Sequence, residues 1–343
     1  MIISNHLQEN DQKNKIQSKA QEELADLNAQ LKEFENNLRP KNMNAYIGQK
    51  KVVRQLKLII DSANIRSVLP EHIMFYGQPG LGKTTLASLI SNELGAHLKT
   101  IAAPALQKSG DVVSLLINME PNTILFIDEI HRLKAPLEEI MYSAMEDKVV
   151  DLVMGKGQGV SLGRFDLNDF MIVGATTQLG KVSKPLKDRF PTLFQLEPYD
   201  EVDILELLDK NLDVLKIKMT EDARIVLARR CRGVPRIANN ILKRFKDLQV
   251  VHKIREIDKT TTLEFLDELG VHENGLTKSD ILYLKSLKDS SLGLKTLSGI
   301  LLEEAETLET VVEPYLIHLG YVDKSSDGRR LTPKGKVYVE NKL

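Results

Sequence analysis

Residues 77–85 read GQPGLGKTT, with glycines at 77, 80 and 82 ahead of Lys83, Thr84 and Thr85. This spacing, G-x-x-x-x-G-K-[ST], lets backbone N–H groups turn inward around phosphate oxygens, with the positive end of a following helix behind them. Lys83 is then placed to reach the β- and γ-phosphates of a nucleoside triphosphate, and the Thr84 hydroxyl to ligate Mg²⁺. A purely structural glycine turn is the alternative, and a strand before it with a helix after it argues against that. Downstream, ILFIDEIHRL (124–133) sets Asp128 and Glu129 at the carboxyl end of an apolar run. Ligands bind at that end in parallel sheets, so Asp128 is expected to hold Mg²⁺ through water and Glu129 to polarise an attacking water. An N-capping acidic pair is the alternative reading. The upstream glycine loop favours the catalytic one.

Two further groups carry less chemistry by themselves. FMIVGATT (170–177) ends a run of strand formers on the hydroxyls of Thr176 and Thr177, either of which could orient water. Arg189 follows a proline turn between Asp188 and Phe190, and in isolation reads as a surface ion-pair residue.

The elements that must position these residues form an alternating pattern. Strand-like runs at 72–77, 98–103, 123–128, 170–177 and 192–199 are separated by helical periodicity, which predicts an α/β domain with a parallel sheet covered on both faces. VVDLVMGKGQGVSLGRFDL interrupts the alternation and reads as a hairpin at about 149–167. Beyond residue 200 strand signals vanish and amphipathic helices follow, as in EVDILELLDKNLDVL; a third region opens near GLTKSD. The expected domains are an N-terminal helical extension (1–37), a large α/β domain (38–199), a small all-helical domain (200–271) and a C-terminal domain (272–343). Across the first 38 residues, Leu24, Leu27, Leu31, Phe34 and Leu38 make a narrow helical stripe that fits docking on its own domain or a short intermolecular coil, with disorder as the remaining alternative.

Composition restricts the classes. Of 343 residues, 28% are charged and 42% hydrophobic, with a formal net charge of −1. A single cysteine, Cys231, allows no internal disulfide, and no signal pattern or membrane-length apolar run is seen, so a cytoplasmic protein is expected. Near-zero net charge does not decide for or against nucleic acid, because local clustering governs that.

Taken together, GQPGLGKTTLA, LFIDEIHRL, YSAMEDKVVDLVMGKG, VGATTQLG, PLKDRF, RGVPRIANN and EPYLIHLGYV resemble the AAA+ ATPases, and among them the RuvB-type Holliday junction branch-migration motors. The first two motifs are shared widely; the MED segment with its hairpin and EPYLIHLGYV point to this branch. The resemblance implies an ATP-driven, Mg²⁺-dependent motor working as a hexameric ring on double-stranded DNA at Holliday junctions. It also implies RuvA docked on the hairpin near Leu152–Gly155 and RuvC in a larger complex. It assigns Thr177 to the sensor-1 position, Arg189 to an arginine finger completing a neighbour's site, and Arg236 to sensor 2. Leu38, Arg39, Tyr46, Ile47 and Tyr199 match positions around adenine and ribose, with Gly80, Gly82 and Thr85 in the phosphate loop. Glu146, Asp147 and Lys148 match a further nucleotide-proximal segment, Lys148 replacing the usual aromatic residue, and Gln78 replaces the usual proline. The alternatives are another AAA+ DNA remodeller or clamp-loader-like ATPase, or an ATP-gated DNA-binding regulator.

The C-terminal region resembles a winged helix, with a first helix capped near Thr277, two more helices with a bend at Pro314, and a basic loop in YVDKSSDGRRLTPKGK. Residues 303 to 313 are acidic and would repel phosphate, so DNA contact through the loop is the better physical fit. Lys324 and Arg329 match the two family positions that reach DNA, with Arg330 an extra candidate. Thr332 and Pro333 read as the cap and first turn of a last helix.

Overall fold

A computed structural model describes residues 38–154 and 161–342; the expected N-terminal helical extension lies outside the described residues. The chain divides into two compact units, meeting in sequence between Glu197 and Pro198.

The first unit is an α/β layer structure. After a short turn, α1 (Lys50–Arg66) buries the stripe Val52, Val53, Leu56, Ile60 and Ala63, one face of a 3.6-residue period. Then follow β1 (Ile73–Tyr76), α2 (Lys83–Leu94), β2 (His97–Ala102), α3 (Ser109–Ile117), β3 (Thr123–Asp128) and α4 (Ala135–Glu146). A two-stranded antiparallel hairpin of β4 (Val149–Met154) and β5 (Ser161–Asp166) comes next, then β6 (Phe170–Thr176), α5 (Lys184–Asp188) and β7 (Thr192–Gln195). The expected exposed apolar tip at Leu152–Gly155 falls on positions outside those whose side chains are described.

Five strands form one parallel sheet in the order β2-β3-β6-β1-β7. All seven residues of β6 are buried, and β3 is buried up to Ile127, as expected of central strands covered on both faces. The β2 edge is largely exposed. The order has a direct consequence: β6 lies between β3 and β1, so whatever ends β6 stands between the residues that end its two neighbours.

The second unit begins with four helices, α6 (Glu201–Leu215), α7 (Glu221–Arg230), α8 (Pro235–His252) and α9 (Lys259–Glu268). Cys231 is fully buried after α7, its thiol directed at the Leu227 carbonyl and pushed up to about 12 by burial. The winged-helix segment follows: α10 (Lys278–Ser286), α11 (Leu294–Leu301), α12 (Ala305–Thr307), α13 (Glu313–His318), strands β8 (Val322–Ser325) and β9 (Gly328–Leu331), and α14 (Pro333–Lys342). Thr277 and Asp280 cap α10 reciprocally, and the Thr332 hydroxyl accepts the Gly335 N–H at the start of α14. The expected bend at Pro314 takes another form. A π-helical turn, Leu308–Val312, joins α12 to α13 without a break in helical backbone, so Pro314 lies inside a continuous helical run, directly after the wider π turn that accommodates its ring and missing N–H.

Candidate active site

The glycine loop leaves β1 and opens α2, as its spacing required. Gly77 has φ +143°, and a Cβ there would come within 2.4 Å of the Leu196 carbonyl oxygen; at Gly82, φ +104°, it would meet the Tyr46 hydroxyl at 2.5 Å. Only glycine fits these two places. Gly80 also has positive φ, and Thr84 and Thr85 follow Lys83 in the first turn of α2. The Lys83 ammonium, almost wholly buried, donates to the carbonyls of Gly77 (2.8 Å) and Gln78 (2.9 Å), so it closes across the loop that its charge would share with phosphate. Tyr46 donates to the Leu81 carbonyl at 3.4 Å, beside the loop; Leu38 is buried, Ile47 is half-buried and Arg39 is exposed.

Asp128 ends β3, and one of its oxygens accepts the Glu129 N–H at 3.0 Å. Glu129 takes a left-handed conformation (φ 51°), which turns its carboxylate back towards the end of β6. There it accepts the Thr177 hydroxyl at 3.0 Å and lies 3.2 Å from His131 Nδ1. The same ring nitrogen is 2.9 Å from the hydroxyl of Thr176, which also accepts the Gln178 N–H. Burial lowers the His131 pKa despite the pull of Glu129, so the ring is neutral at pH 7. His131 stands inside the quoted DEIH motif, yet its contact was invisible in sequence because it depends on β3 and β6 being neighbours.

Arg189 lies at the end of α5 on the same unit. Its guanidinium donates to Glu146 (2.9 Å) and to the Pro185 carbonyl (2.9 Å), and stacks 4.4 Å over the Tyr142 ring. Tyr142 in turn donates to Glu138, which also accepts from Ser183. Arg189 Nε is buried with no partner among the described residues. The arginine borders a cleft of about 920 Å³ lined in part by Asn64, His72, Glu146, Lys148 and Asp169. None of its described lining residues belongs to the glycine loop or to the Asp128–Glu129 pair. Asp147 caps α4 there. Lys148 (φ 56°) turns inward: its ammonium donates to the Phe170 carbonyl at 2.6 Å and lies 4.3 Å over that ring. Burial lowers its pKa, with Asp169 opposing. His72 accepts the Ile172 N–H on Nδ1 and faces the Met145 carbonyl with Nε2, and burial, aided by Lys148, lowers its pKa to about 4.

On the second unit, the Tyr199 N–H donates to the Gly233 carbonyl at 2.8 Å, two residues before the start of α8. Arg236 is the second residue of α8 and is exposed, with no acidic side chain in that first turn. A cation there opposes the helix dipole unless an anion joins it.

The basic loop is a two-stranded wing. Lys324 and Arg329 are directly opposed across β8 and β9, so their side chains share one face; Asp323 and Arg330 share the other. The first pair is not free in solvent. Arg329, 15% exposed, donates from Nε to Glu313 (2.9 Å) and from Nη2 to Glu309 (2.8 Å). Lys324 Nζ is 2.5 Å from the other Glu313 oxygen, and Tyr283 donates to Glu313 at 2.8 Å. Glu313 is fully buried. Burial alone would raise its pKa, but the bonds from Arg329, Lys324 and Tyr283 outweigh that and hold it below the usual carboxylate value. Arg330, 60% exposed, pairs with Asp323 at 3.1 Å.

Comparison with known proteins agrees with this architecture along nearly the whole chain. Residues 38–196 match the family described as the Holliday junction DNA helicase RuvB P-loop domain, 199–272 the RuvB AAA lid domain, and 273–340 the RuvB C-terminal winged helix domain. The Holliday junction branch migration complex subunit RuvB of Campylobacter hominis is 42% identical over 305 residues, covering 88% of this chain and 90% of that protein. The Fusobacterium nucleatum subunit is also 42% identical, with 88% and 92% covered. The solved Thermotoga maritima RuvB Holliday junction branch migration motor superposes with a TM-score of 0.80 at 34% identity, covering 90% of this chain and 99% of that one. The glycine loop, the acidic pair with its threonine, the helical lid and the wing therefore occur in one chain in the family's order, and the chain belongs to the RuvB family of AAA+ P-loop proteins.

Proposed function

We propose that this chain is the ATP-hydrolysing subunit of a motor that moves Holliday junctions. The observation that carries this reading is the convergence of Lys83, Asp128, Glu129 and Thr177 at the carboxyl ends of three adjacent strands, on a chain that also bears a wing. Lys83 would leave the Gly77 and Gln78 carbonyls for the β- and γ-phosphates. Thr177 holds the Glu129 carboxylate where it can take a proton from water attacking the γ-phosphate. The residues present fit Mg²⁺, because Thr84 and Asp128 offer the hard oxygen donors that this ion prefers, and phosphate oxygens and water would complete its shell. Bound there, Mg²⁺ would neutralise charge developing on the phosphates.

Arg189 supports action across subunits. Its cleft includes no described residue of the glycine loop, its Nε–H has no partner among the described residues, and its other donors rest there on a single carboxylate and a carbonyl. A neighbour's γ-phosphate entering that cleft would replace Glu146 as its partner, making hydrolysis depend on assembly, as in a hexameric ring. Glu146 lines the same cleft, Asp147 follows it as the C-cap of α4, and Lys148, also on the cleft, is engaged with Phe170 and acts there as a brace. By resemblance to the family, Leu38, Arg39, Tyr46, Ile47 and Tyr199 would surround the base and ribose, and Arg236 would reach the γ-phosphate from the lid. Double-stranded DNA would lie along the wing near Lys324, Arg329 and Arg330, RuvA on the β4–β5 hairpin, and RuvC in the larger complex. A cytoplasmic location follows from the DNA substrate and a lone buried thiol. Among the described residues, no helix is long and apolar enough to cross a membrane.

The test is ATP-driven dissolution of a synthetic four-way junction with RuvA, using wild type, Lys83→Ala and Arg189→Ala. Each variant alone should be inactive, and an equimolar mixture should recover activity because intact sites form at mixed interfaces. Wild type that hydrolyses ATP without moving the junction would overturn the reading.

A further inference from the structure

Lid and wing, distinct in sequence, fold within one compact unit, and one arginine joins them. Arg232 occupies the turn between α7 and α8 in a left-handed conformation (φ 55°). Its Nε donates to the Gly275 carbonyl at 2.7 Å, its Nη2 to the Asp280 carboxylate, and its guanidinium stacks 4.5 Å over the Tyr315 ring. Each partner holds a different part of the winged helix. Gly275 lies in its entry turn, where φ is +70° and an added Cβ would come within 2.5 Å of the Arg230 carbonyl oxygen. Asp280, nearly fully buried, also accepts the N–H and the hydroxyl of Thr277, the bonds that start α10. Tyr315, on α13, donates to the Asn274 carbonyl at 2.6 Å, and Asn274 donates to the Tyr321 hydroxyl at 3.0 Å. Entry turn, α10 and α13 are thus tied to a single guanidinium.

The other side of that turn is the start of α8. Gly233, next to Arg232, accepts from Tyr199, and Arg236 follows in the first turn of the helix. We infer that Arg232 is the positioning residue that couples the nucleotide-sensing turn of the lid to the winged helix, so that both move as one lever. The inference rests on the proposed reading that Arg236 senses nucleotide and the wing carries DNA. Arginine suits the task because its flat fork satisfies a carbonyl and a carboxylate at fixed angles while its face packs on a ring. Lysine would keep the charge opposite Asp280 and lose both the fork and the stack.

The experiment uses the full chain with RuvA and a four-way junction. Variants Arg232→Lys, Tyr315→Leu and Tyr315→Phe are scored for hydrolysis without DNA, duplex affinity, and junctions dissolved per ATP hydrolysed. Arg232→Lys and Tyr315→Leu should keep hydrolysis and affinity near wild type while junctions per ATP fall about tenfold, the scale of intersite coupling. Tyr315→Phe, which keeps the stacked ring, should stay near wild type in all three. Unchanged junctions per ATP in both Arg232→Lys and Tyr315→Leu would overturn the inference. So would parallel loss of hydrolysis and junction movement at constant ratio, which is what local unfolding produces. Arg236→Ala separates the underlying reading: if it hydrolyses ATP like wild type, nucleotide sensing by Arg236 fails. If it is impaired while Arg232→Lys keeps its ratio, the coupling alone fails.

Discussion

Replacing Arg329 by alanine should damage the wing's fold before it damages any DNA contact. The substitution removes three of the hydrogen bonds that hold the acidic helix to the wing: Nε to Glu313 at 2.9 Å, Nη2 to Glu313 at 3.4 Å and Nη2 to Glu309 at 2.8 Å. Glu313 has no solvent to turn to and would keep only Lys324 and Tyr283. Breaking a buried ion pair on one side costs roughly 3–5 kcal/mol, and the surviving lysine argues for the lower end. A loss of about 3 kcal/mol multiplies the open population by about 150, since each 1.4 kcal/mol is tenfold. Hydrogen exchange of amides in α10 and α13 should therefore accelerate by about two orders of magnitude in the full chain, with the first unit unaffected. Adding Glu313→Gln to Arg329→Ala should restore much of the protection, because the buried charge is gone. Arg329→Ala with wild-type exchange and lost duplex affinity would refute this reasoning and make Arg329 a plain phosphate contact. Lys324→Ala, at a side chain 43% exposed, should weaken duplex affinity and flatten its salt dependence with little change in exchange.

Two further outcomes follow from the first unit. The His72 pKa of about 4 lies below the ordinary 6.5, so an unfolded chain takes up a proton that the native one refuses; stability is full above pH 6.5 and falls as pH drops towards 4, by about 3 kcal/mol at most. Denaturant unfolding of wild type against His72→Gln between those values should show the difference, and identical pH dependence would exclude it. Thr177→Val should lower ATP turnover about a hundredfold with nucleotide affinity nearly unchanged, because it frees Glu129 from its 3.0 Å anchor without touching the glycine loop; equal losses in turnover and binding would argue against a positioning role.

What was legible in sequence was set by local chemistry. The glycine loop, the acidic pair and the Thr277 and Thr332 caps depend on neighbours a few residues away, and their patterns locate them directly. The sheet was legible because buried parallel strands read as unbroken apolar runs. The partners of Lys324 and Arg329 were not legible: the acidic stretch 303–313 reads as a surface that repels DNA, and only the fold shows it facing the wing's own cations. Arg189 likewise reads as an ordinary ion-pair residue, and it does bond Glu146; its Nε, without a partner among the described residues, and its cleft are tertiary facts. Arg232 opens the RGVPRIANN motif, but its role was not legible, since its three partners lie 43 to 83 positions further along the chain, at 275, 280 and 315. Lys148, expected near a nucleotide, places its ammonium against Phe170, 22 positions away, a contact with no local sequence signal.

The state of Cys231 has a practical side. Its sulfur is sealed in the lid, bonded to a carbonyl, and kept protonated far above neutral pH. Maleimide and iodoacetamide chemistry needs a reachable thiolate, so the wild-type chain behaves towards such reagents as a cysteine-free background. A fluorophore placed through a new cysteine at exposed Asp327, on the tip of the wing, would report on that tip alone and leave the native thiol in its packing.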